Sequence, residues 1–216
     1  MASEELVYEQ RQTTLCRGGL EEYVQQTRDR VGLYLTDQGA EVLCFVNGLI
    51  GLPAEETMRI TRFPDVATWQ RCQTQSDLTG GGLVEKEEVR LLRSVASRPK
   101  PHILPEDKRA VYGYHRFFIR ADDLAEFGRC SEDGIWPRIE AQDARILGLW
   151  VTLAATDPLE VVLMTGYHSP AHWDETRITR VMPPNFDPEL WDRDIKLRSR
   201  RRQITIKSWV CLMQSI

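Results

Sequence analysis

The segment YHSPAHWDET (167–176) places His168 and His172 four residues apart, with an aromatic residue on either side. Two imidazoles at this spacing can bind one metal ion when both lie on the same face of a helix. Ser169 followed by proline is typical of an N-cap and a first helical residue, so His168 precedes the helix and His172 lies in its first turn. The segment therefore predicts a helix start, and a metal site would need a third ligand such as His115.

His115 lies within VYGYHRFFI (111–119), an apolar segment that predicts a strand with His115 and Phe117 on one face. An imidazole with a pKa near neutrality can accept a proton from a substrate. Near the N-terminus, Glu9 and Arg11 also share one strand face, where they can pair with each other or bind a carboxylate or an enolate. We interpret His115 as a candidate proton acceptor and Arg11, with Glu9, as candidates for stabilising a developing anion.

The direction of these strand faces decides between two interpretations. If they face the interior of a barrel, Glu9, Arg11 and His115 converge on a shared cavity. If they face helices, they are paired structural groups; unpaired charges under helices are costly, which favours the cavity. Trp150 and Tyr167, with Phe117 nearby, would line its apolar part, and the alternative for these aromatic residues is packing in the core.

Composition excludes several classes of function. The chain has 216 residues with 42% hydrophobic and 28% charged residues and a net charge of −4, values that favour a globular protein without an affinity for nucleic acid or acidic membranes. No secretory h-region and no membrane-spanning apolar run is seen. The five cysteines form no CxxC pair, which favours the cytoplasm. The basic run LRSRRRQ (197–203) predicts a solvated helix end, and DLTGGG (77–82) a loop without a ligand.

The apolar pattern repeats at half the chain length. Residues 7–69 align with residues 111–173 at an offset of 104 without a gap, and Trp69 falls on Trp173. Such a repeat indicates two copies of one structural unit. We divide the chain into a first unit, residues 1–106, and a second unit, residues 107–216.

Each copy predicts the same order of elements. An amphipathic helix follows the first strand; Gly39 ends it in the first copy, and Pro137 kinks or splits it in the second. A second helix begins near each repeated tryptophan. The predicted strands are 6–15, 41–49, 56–63 and 101–105 in the first copy, and 111–119, 145–153, 160–168 and 203–213 in the second. This β-α-β-β-α-β order predicts an α+β fold of two ferredoxin-like units in tandem, closing as a pseudo-dimer into one barrel.

Two motifs carry a resemblance to a known family. They are the strand-to-helix segments EQRQTTLCRGGLEEY (9–23) and YHRFFIRADDLAEF (114–127), and the strand pair within GLWVTLAATDPLEVVLMTGYHSPAHWDETR (148–177). The chain resembles the NIPSNAP-like members of the dimeric α+β barrel superfamily. Relatives in that superfamily include cofactor-free oxygenases, polyketide cyclases and haem proteins, so the resemblance implies a small-molecule site inside the barrel.

These observations predict a small-molecule enzyme that acts on an aromatic or hydrophobic substrate in the barrel interior without an organic cofactor or metal. The reaction would be oxygenase-, cyclase- or isomerase-like. One alternative is a non-catalytic binding or interaction protein, and another is a haem- or metal-binding barrel with His115 or His168 as the ligand. The expected partners are a small-molecule ligand and a second copy in a homodimer, with neither nucleic acid nor membrane.

Overall fold

The computed structural model describes residues 6–74, 81–154 and 157–216. The chain divides into two compact units, one formed by Met1–Arg93 with Met213–Ile216 and the other by Ser94–Leu212. The loop predicted at 77–82 lies mostly outside the described residues. None of the helices in the described ranges is long and apolar enough to cross a membrane.

The first unit is a four-stranded antiparallel sheet in the order β4-β1-β3-β2, combined with helices. Its elements in chain order are β1 (Val7–Leu15), α1 (Leu20–Gln26), a π-helical segment (Thr27–Gly32), α2 (Leu33–Asp37), β2 (Glu41–Ile50), β3 (Glu56–Phe63), α3 (Val66–Gln73), a 3-10 helix (Gly81–Leu83) and β4 (Val84–Ser94).

The second unit has the corresponding strand order β8-β5-β7-β6, and β7 pairs antiparallel with β5 and β6. Its elements are two 3-10 helices (Pro105–Asp107 and Ala121–Asp123), β5 (Val111–Ile119), α4 (Leu124–Cys130), a π-helical segment (Ser131–Ile135), α5 (Trp136–Glu140), β6 (Arg145–Thr152), β7 (Leu159–Tyr167), α6 (Pro170–Glu175), α7 (Pro188–Gln203) and β8 (Thr205–Ser215). The chain thus has a mixed α+β fold.

The long helix of each unit contains a π-helical segment. Gly39, with φ of 76°, follows the first of these helices and adopts the left-handed conformation typical of a helix end. In the second helix, Pro137 lies in the first turn of α5, directly after the π segment. The local widening of the helix explains how the proline is accommodated without ending it.

One predicted strand is wrong. Residues 101–105 form no strand, and the last strand of the first unit is β4 (Val84–Ser94). This strand reads VEKEEVRLLRS, and most of its side chains are exposed or half-buried. Its many charged residues therefore hide the alternation of apolar and polar residues from which strands were predicted. Residues 99–105 contain three prolines, which lack the N–H that a strand must donate.

The sheet of the second unit packs one face against helices. Phe117 and Ile119 of β5 lie in one buried cluster with Phe127 of α4, and Leu149 of β6 belongs to the same cluster. Because side chains alternate along a strand, Trp150 lies on the opposite face of the sheet from Leu149. The helix-covered face therefore includes the side of β5 that carries His115.

Candidate functional site

A cavity of about 570 Å³ lies in the second unit between this sheet face and the helices, a volume within the usual range for small-molecule sites. Aliphatic, aromatic and cationic side chains share its wall. The polar and aromatic lining residues are His115, Thr165 and Tyr167 from the sheet, Trp136 and Arg138 from α5, Trp173, Thr176, Arg177 and Thr179 from α6 and the residues after it, Arg198, Arg201 and Arg202 from α7, and Ser208 from β8.

His115 is held in the cavity wall as a neutral imidazole. Its ring stacks on that of Phe117, with centroids 5.9 Å apart. A Cβ atom on Gly113 would lie 3.0 Å from His115 Nε2 and 3.3 Å from Tyr167 Cε2, so this glycine leaves room for both rings. Burial, together with the charges of Arg201 and Arg198, lowers the pKa of His115 to about 3.

The expectation that His115 faces away from the helices is wrong. Its face of β5 is covered by α4, α5 and α7, as the contacts of Phe117 with Phe127 and with Arg201 show. The argument from the cost of buried charge fails because His115 is uncharged there. The cavity therefore lies between sheet and helices rather than on the other face of the sheet.

A buried carboxylate anchors two of the arginines. Asp194 of α7 forms an ion pair with Arg138, and both side chains are buried. It also forms a bidentate pair with Arg198: Nε lies 3.0 Å from Asp194 Oδ1, and Nη2 lies 3.0 Å from Asp194 Oδ2. Arg138 Nη2 donates a 2.8 Å hydrogen bond to the carbonyl oxygen of Thr176. This network ties α5, α7 and the end of α6 together around the cavity.

Arg201 is buried without a carboxylate of its own. Its Nη1 donates a 3.0 Å hydrogen bond to Ser131 Oγ, and its guanidinium carbon lies 4.9 Å from the centre of the Phe117 ring and 5.1 Å from that of Phe127. Among the described residues, no carboxylate forms an ion pair with it. Burial and the charge of Arg198 lower its pKa to about 9, so Arg201 remains charged near neutral pH.

The wall of the cavity carries an excess of positive charge. Five arginines line it, whereas no aspartate or glutamate does within the described part of the chain. Two nearby carboxylates pair with some of them: Asp194 with Arg138 and Arg198, and Asp174 with Arg177. Arg201 and Arg202 have no such partner among the described residues, so the cavity suits an anion.

Tyr167 contributes a hydroxyl that stays protonated. Burial raises its pKa to about 12, although hydrogen bonds with Thr165 and Thr176 oppose the shift. A protonated phenol in a cavity wall can donate a hydrogen bond to a ligand oxygen. His115 and Tyr167, two of the site residues predicted from the sequence, thus both line this cavity.

Glu9 and Arg11, the other predicted catalytic residues, lie together in the first unit. Glu9 is 1% exposed and accepts hydrogen bonds from Trp69 Nε1 at 2.7 Å and Gln73 Nε2 at 2.9 Å, both on α3. Arg11 Nε donates to it at 2.9 Å. The face of β1 that carries both thus points towards a helix, and the predicted direction towards a barrel interior is wrong.

The charge of Glu9 is compensated within this network. Burial raises the pKa of Glu9, but the hydrogen bond and charge of Arg11, with the charge of Arg59, hold it below its ordinary value. Arg11 Nη1 also lies 2.5 Å from Glu87. The structure thus matches the alternative stated for this face, in which the charges are paired structural groups.

The remaining predicted pocket residues take supporting positions. Phe117 lies behind the wall, where its ring contacts His115 and Arg201. Trp150 is fully buried on the other sheet face, and a Cβ atom on Gly148 would lie 2.2 Å from its ring. Trp150 is not part of the cavity lining, and its surroundings match the alternative of core packing.

The two histidines at the start of α6 form a structural unit. Ser169 Oγ accepts a hydrogen bond from the His172 N–H, which confirms the predicted N-cap. His172 Nε2 lies 2.7 Å from the carbonyl oxygen of Gln142, and its Nδ1 accepts a 3.1 Å hydrogen bond from the His168 N–H. Both ring nitrogens of His172 are therefore occupied, and His168 Nε2 lies 2.5 Å from Asp143 Oδ2. No metal-binding group of three side chains occurs in the described ranges.

Sequence reasoning missed the cationic wall. The basic run does end a helix, as predicted, but Arg201 is buried and Arg198 and Arg202 line the cavity. The sequence did contain a signal in its spacing. Arg198 and Arg201 follow Asp194 by four and seven residues, so the three side chains share one helical face. Because α7 buries Trp191 and Asp194 rather than a stripe of aliphatic residues, its inner face does not look apolar in the sequence.

Comparison with known proteins places the fold. No protein-family model and no curated protein matches the chain. Among solved structures, a "putative monooxygenase" from Lactobacillus acidophilus has a TM-score of 0.67 at 12% identity and covers 98% of this chain and 94% of its own. An anthrone oxidase-like protein has a TM-score of 0.60 at 10% identity, covering 100% of this chain and 92% of its own.

NIPSNAP family proteins are also among the similar structures, as the sequence motifs indicated. One from Agrobacterium tumefaciens has a TM-score of 0.36 at 14% identity and covers 43% of this chain and 89% of its own. The resemblance stated from the sequence is thus confirmed. The first two proteins are similar to this chain along nearly its whole length, and at these identities the likeness establishes the fold and nothing finer.

Proposed function

We propose that this protein is a small-molecule enzyme that removes a proton from an aromatic or hydrophobic substrate in the cavity of the second unit, without an organic cofactor. The observation that carries the proposal is the neutral His115 imidazole in the wall of a cavity with an excess of arginine. Oxygenase-, cyclase- and isomerase-like reactions all can begin from the carbanion, enolate or phenolate that such a step produces.

The step follows from the charges around His115. With the cavity free of an anion, burial, together with the charges of Arg201 and Arg198, lowers the pKa of His115 and keeps the imidazole unprotonated, so it is ready to accept a proton. As negative charge develops on the substrate, it offsets these cations and raises the pKa of His115 towards its ordinary value. The same arginines stabilise the developing anion, and Tyr167 can donate a hydrogen bond to it.

The fold neighbours support a chemistry of this kind. Proteins described as a monooxygenase and as anthrone oxidase-like share the fold over nearly the whole chain. We also infer that each unit is one ferredoxin-like repeat, because the same strand order recurs and the π segments beginning at Thr27 and Ser131 coincide at the repeat offset of 104. The closing of the two sheets into one barrel stays a prediction.

Haem binding is a second candidate, which one observation favours. An unprotonated imidazole in a cavity could bind haem iron, and surplus arginines could pair with the two carboxylate groups of such a cofactor. His115 would be the ligand, and Arg201 with Arg202 would hold the acidic groups. His168, the other predicted ligand, is absent from the cavity lining, because its ring is exposed and bound to Asp143.

Oxygen consumption with a panel of acidic polycyclic phenols and anthrones tests the enzyme proposal. We expect turnover by the protein as purified and a loss of about 100-fold or more in the His115→Gln variant, the usual contribution of a general base. His102→Gln is the matched control, because His102 is exposed and outside the cavity lining. Equal turnover in both variants would contradict the role of His115, and a Soret band lost only in His115→Gln would favour the haem protein.

A further inference from the structure

The cavity wall separates into an apolar part and a cationic part. The aliphatic surface comes from Ile135 of the π-helical segment, Ile139 of α5, Leu163 of β7 and Val210 of β8. The aromatic surface comes from Trp136 and Trp173. The arginines of α7 stand in the same wall. A ligand that satisfies both parts has a hydrophobic body and one acidic group.

Arg201 is a buried cation in this wall without an ion-pair partner among the described residues. It is 7% exposed, so its charge is largely removed from water, and α7 supplies no carboxylate to pair with it. Its contacts are a neutral hydroxyl and the faces of two phenyl rings. A buried cation without a counter-ion is costly, and an anion delivered by a ligand compensates for it.

The groups that face His115 and Arg201 do not supply this anion themselves. On β5 and β7 the neighbours are Phe117, Leu163 and Tyr167, which are uncharged near neutral pH. On α4 the titratable neighbour of Arg201 is the Cys130 thiol, whose pKa is raised by burial. From α7 the charged neighbours are Arg198 and Asp194, and this carboxylate already binds two guanidinium groups.

We propose that the ligand of this cavity is an aromatic carboxylate or a comparable organic anion, whose acidic group lies against Arg201 and Arg198 beside His115. This inference rests on the proposed function for the location of the site, and it adds the charge of the substrate. A bidentate guanidinium–carboxylate contact fixes the orientation of the aromatic body in the apolar part of the cavity. Neutral analogues of the same shape lack that contact.

Two fluorescent probes of nearly equal shape test the inference. Anthracene-9-carboxylate is an anion and anthracene-9-carboxamide is neutral, so the ratio of their dissociation constants isolates the acidic group. We expect the carboxylate to bind the full-length protein at least tenfold more tightly than the amide. In Arg201→Gln this preference should fall by a factor of ten or more, with the amide affected less.

Arg193→Gln is the matched control, since Arg193 is exposed on the same helix and outside the cavity lining. It should keep the preference for the carboxylate. Circular dichroism verifies folding, and if Arg201→Gln does not fold, Arg201→Lys and Arg202→Gln take its place; each should reduce the preference. Equal binding of the two probes, binding of neither, or equal losses in the variants and the control would overturn the inference.

The same samples separate this inference from the enzyme proposal. A carboxylate preference that depends on Arg201 in a protein without turnover on the phenol and anthrone panel would support the ligand class and contradict the enzyme. Turnover that depends on His115, in a protein that binds both probes equally, would support the enzyme and contradict the ligand class.

Discussion

The imidazole ring of His115 lies parallel to the ring of Phe117, with an angle of 2° between their planes and 5.9 Å between their centroids. The guanidinium carbon of Arg201 lies 4.9 Å from the centre of the same phenyl ring. One phenylalanine thus holds a titratable base and a buried cation in fixed positions. Burial and the nearby charge of Arg201 lower the pKa of His115, and this has consequences for stability as well as for binding.

Acid should destabilise the protein partly through His115. The pKa of His115 is about 3 in the folded protein and 6.5 ordinarily, so the unfolded chain takes up a proton first as the pH falls. Stability that is present above pH 6.5 is therefore lost between 6.5 and 3, by up to about 1.4 kcal/mol per pH unit. Urea unfolding at pH 7 and 4.5 should show a smaller loss for His115→Gln than for the unchanged protein. Equal losses would contradict the neutral state of His115.

Gly134 should be intolerant of a side chain. A Cβ atom there would lie 2.7 Å from Leu197 Cδ1 and 3.2 Å from the carbonyl oxygen of Arg193, so Gly134→Ala must displace α7. Overpacking of this kind costs about 1–3 kcal/mol. Because α7 carries Arg198 and Arg201, binding of anthracene-9-carboxylate should weaken as well.

Gly32→Ala in the first unit is the control for this substitution. Gly32 also belongs to a π-helical segment, but its nearest neighbour to an added Cβ is the Thr27 carbonyl oxygen at an ordinary 3.5 Å. Alanine there should be neutral or stabilising by up to about 1 kcal/mol, since glycine disfavours helix. Thermal unfolding of the two variants provides the comparison, and similar effects in both would refute the packing argument.

Glu9→Gln should affect the stability of the first unit rather than a chemical step. The substitution keeps the shape of the side chain but leaves Arg11 and Arg59 near an uncharged group in a buried network. Removing one partner of a buried ion pair costs about 3–5 kcal/mol. Denaturant unfolding measures the loss. A variant with unchanged stability that loses turnover would instead restore the catalytic interpretation of Glu9.

The histidine pair at the start of α6 should be indifferent to metal. His172→Ala removes the hydrogen bonds to the Gln142 carbonyl oxygen and from the His168 N–H, at a cost of about 1–2 kcal/mol. Zinc should leave the melting temperature of the unchanged protein where it is. A zinc-dependent increase that disappears in His172→Ala would show that the pair is a metal site after all.

Much of the fold could be predicted because the apolar periods are intact. Strand β5 and the Ser169 cap lie at the predicted positions, and Gly39 ends the first long helix as expected. The charged strand β4 could not be predicted, because its side chains face solvent often enough to conceal the alternation. Local patterns thus located the elements that bury one apolar face.

The site was predictable in its members more than in its setting. The sequence singled out His115 and Tyr167, which line the cavity, but not the side of the sheet on which they meet. That side depends on whether His115 is charged, and it is neutral because of burial and of Arg201 and Arg198, which lie far along the chain on α7. The ion pair between Arg138 and Asp194 is likewise a long-range contact that no local pattern contains.

The most direct test of the account is a nitrogen-15 NMR titration of the His115 ring, assigned by comparison with His115→Gln, with and without anthracene-9-carboxylate. We predict a neutral ring from pH 7 down to below pH 4.5 in the free protein, and a midpoint at a clearly higher pH with the anion bound. A ring that titrates near pH 6.5 and does not respond to the anion would contradict both the neutral base and the anion site beside it.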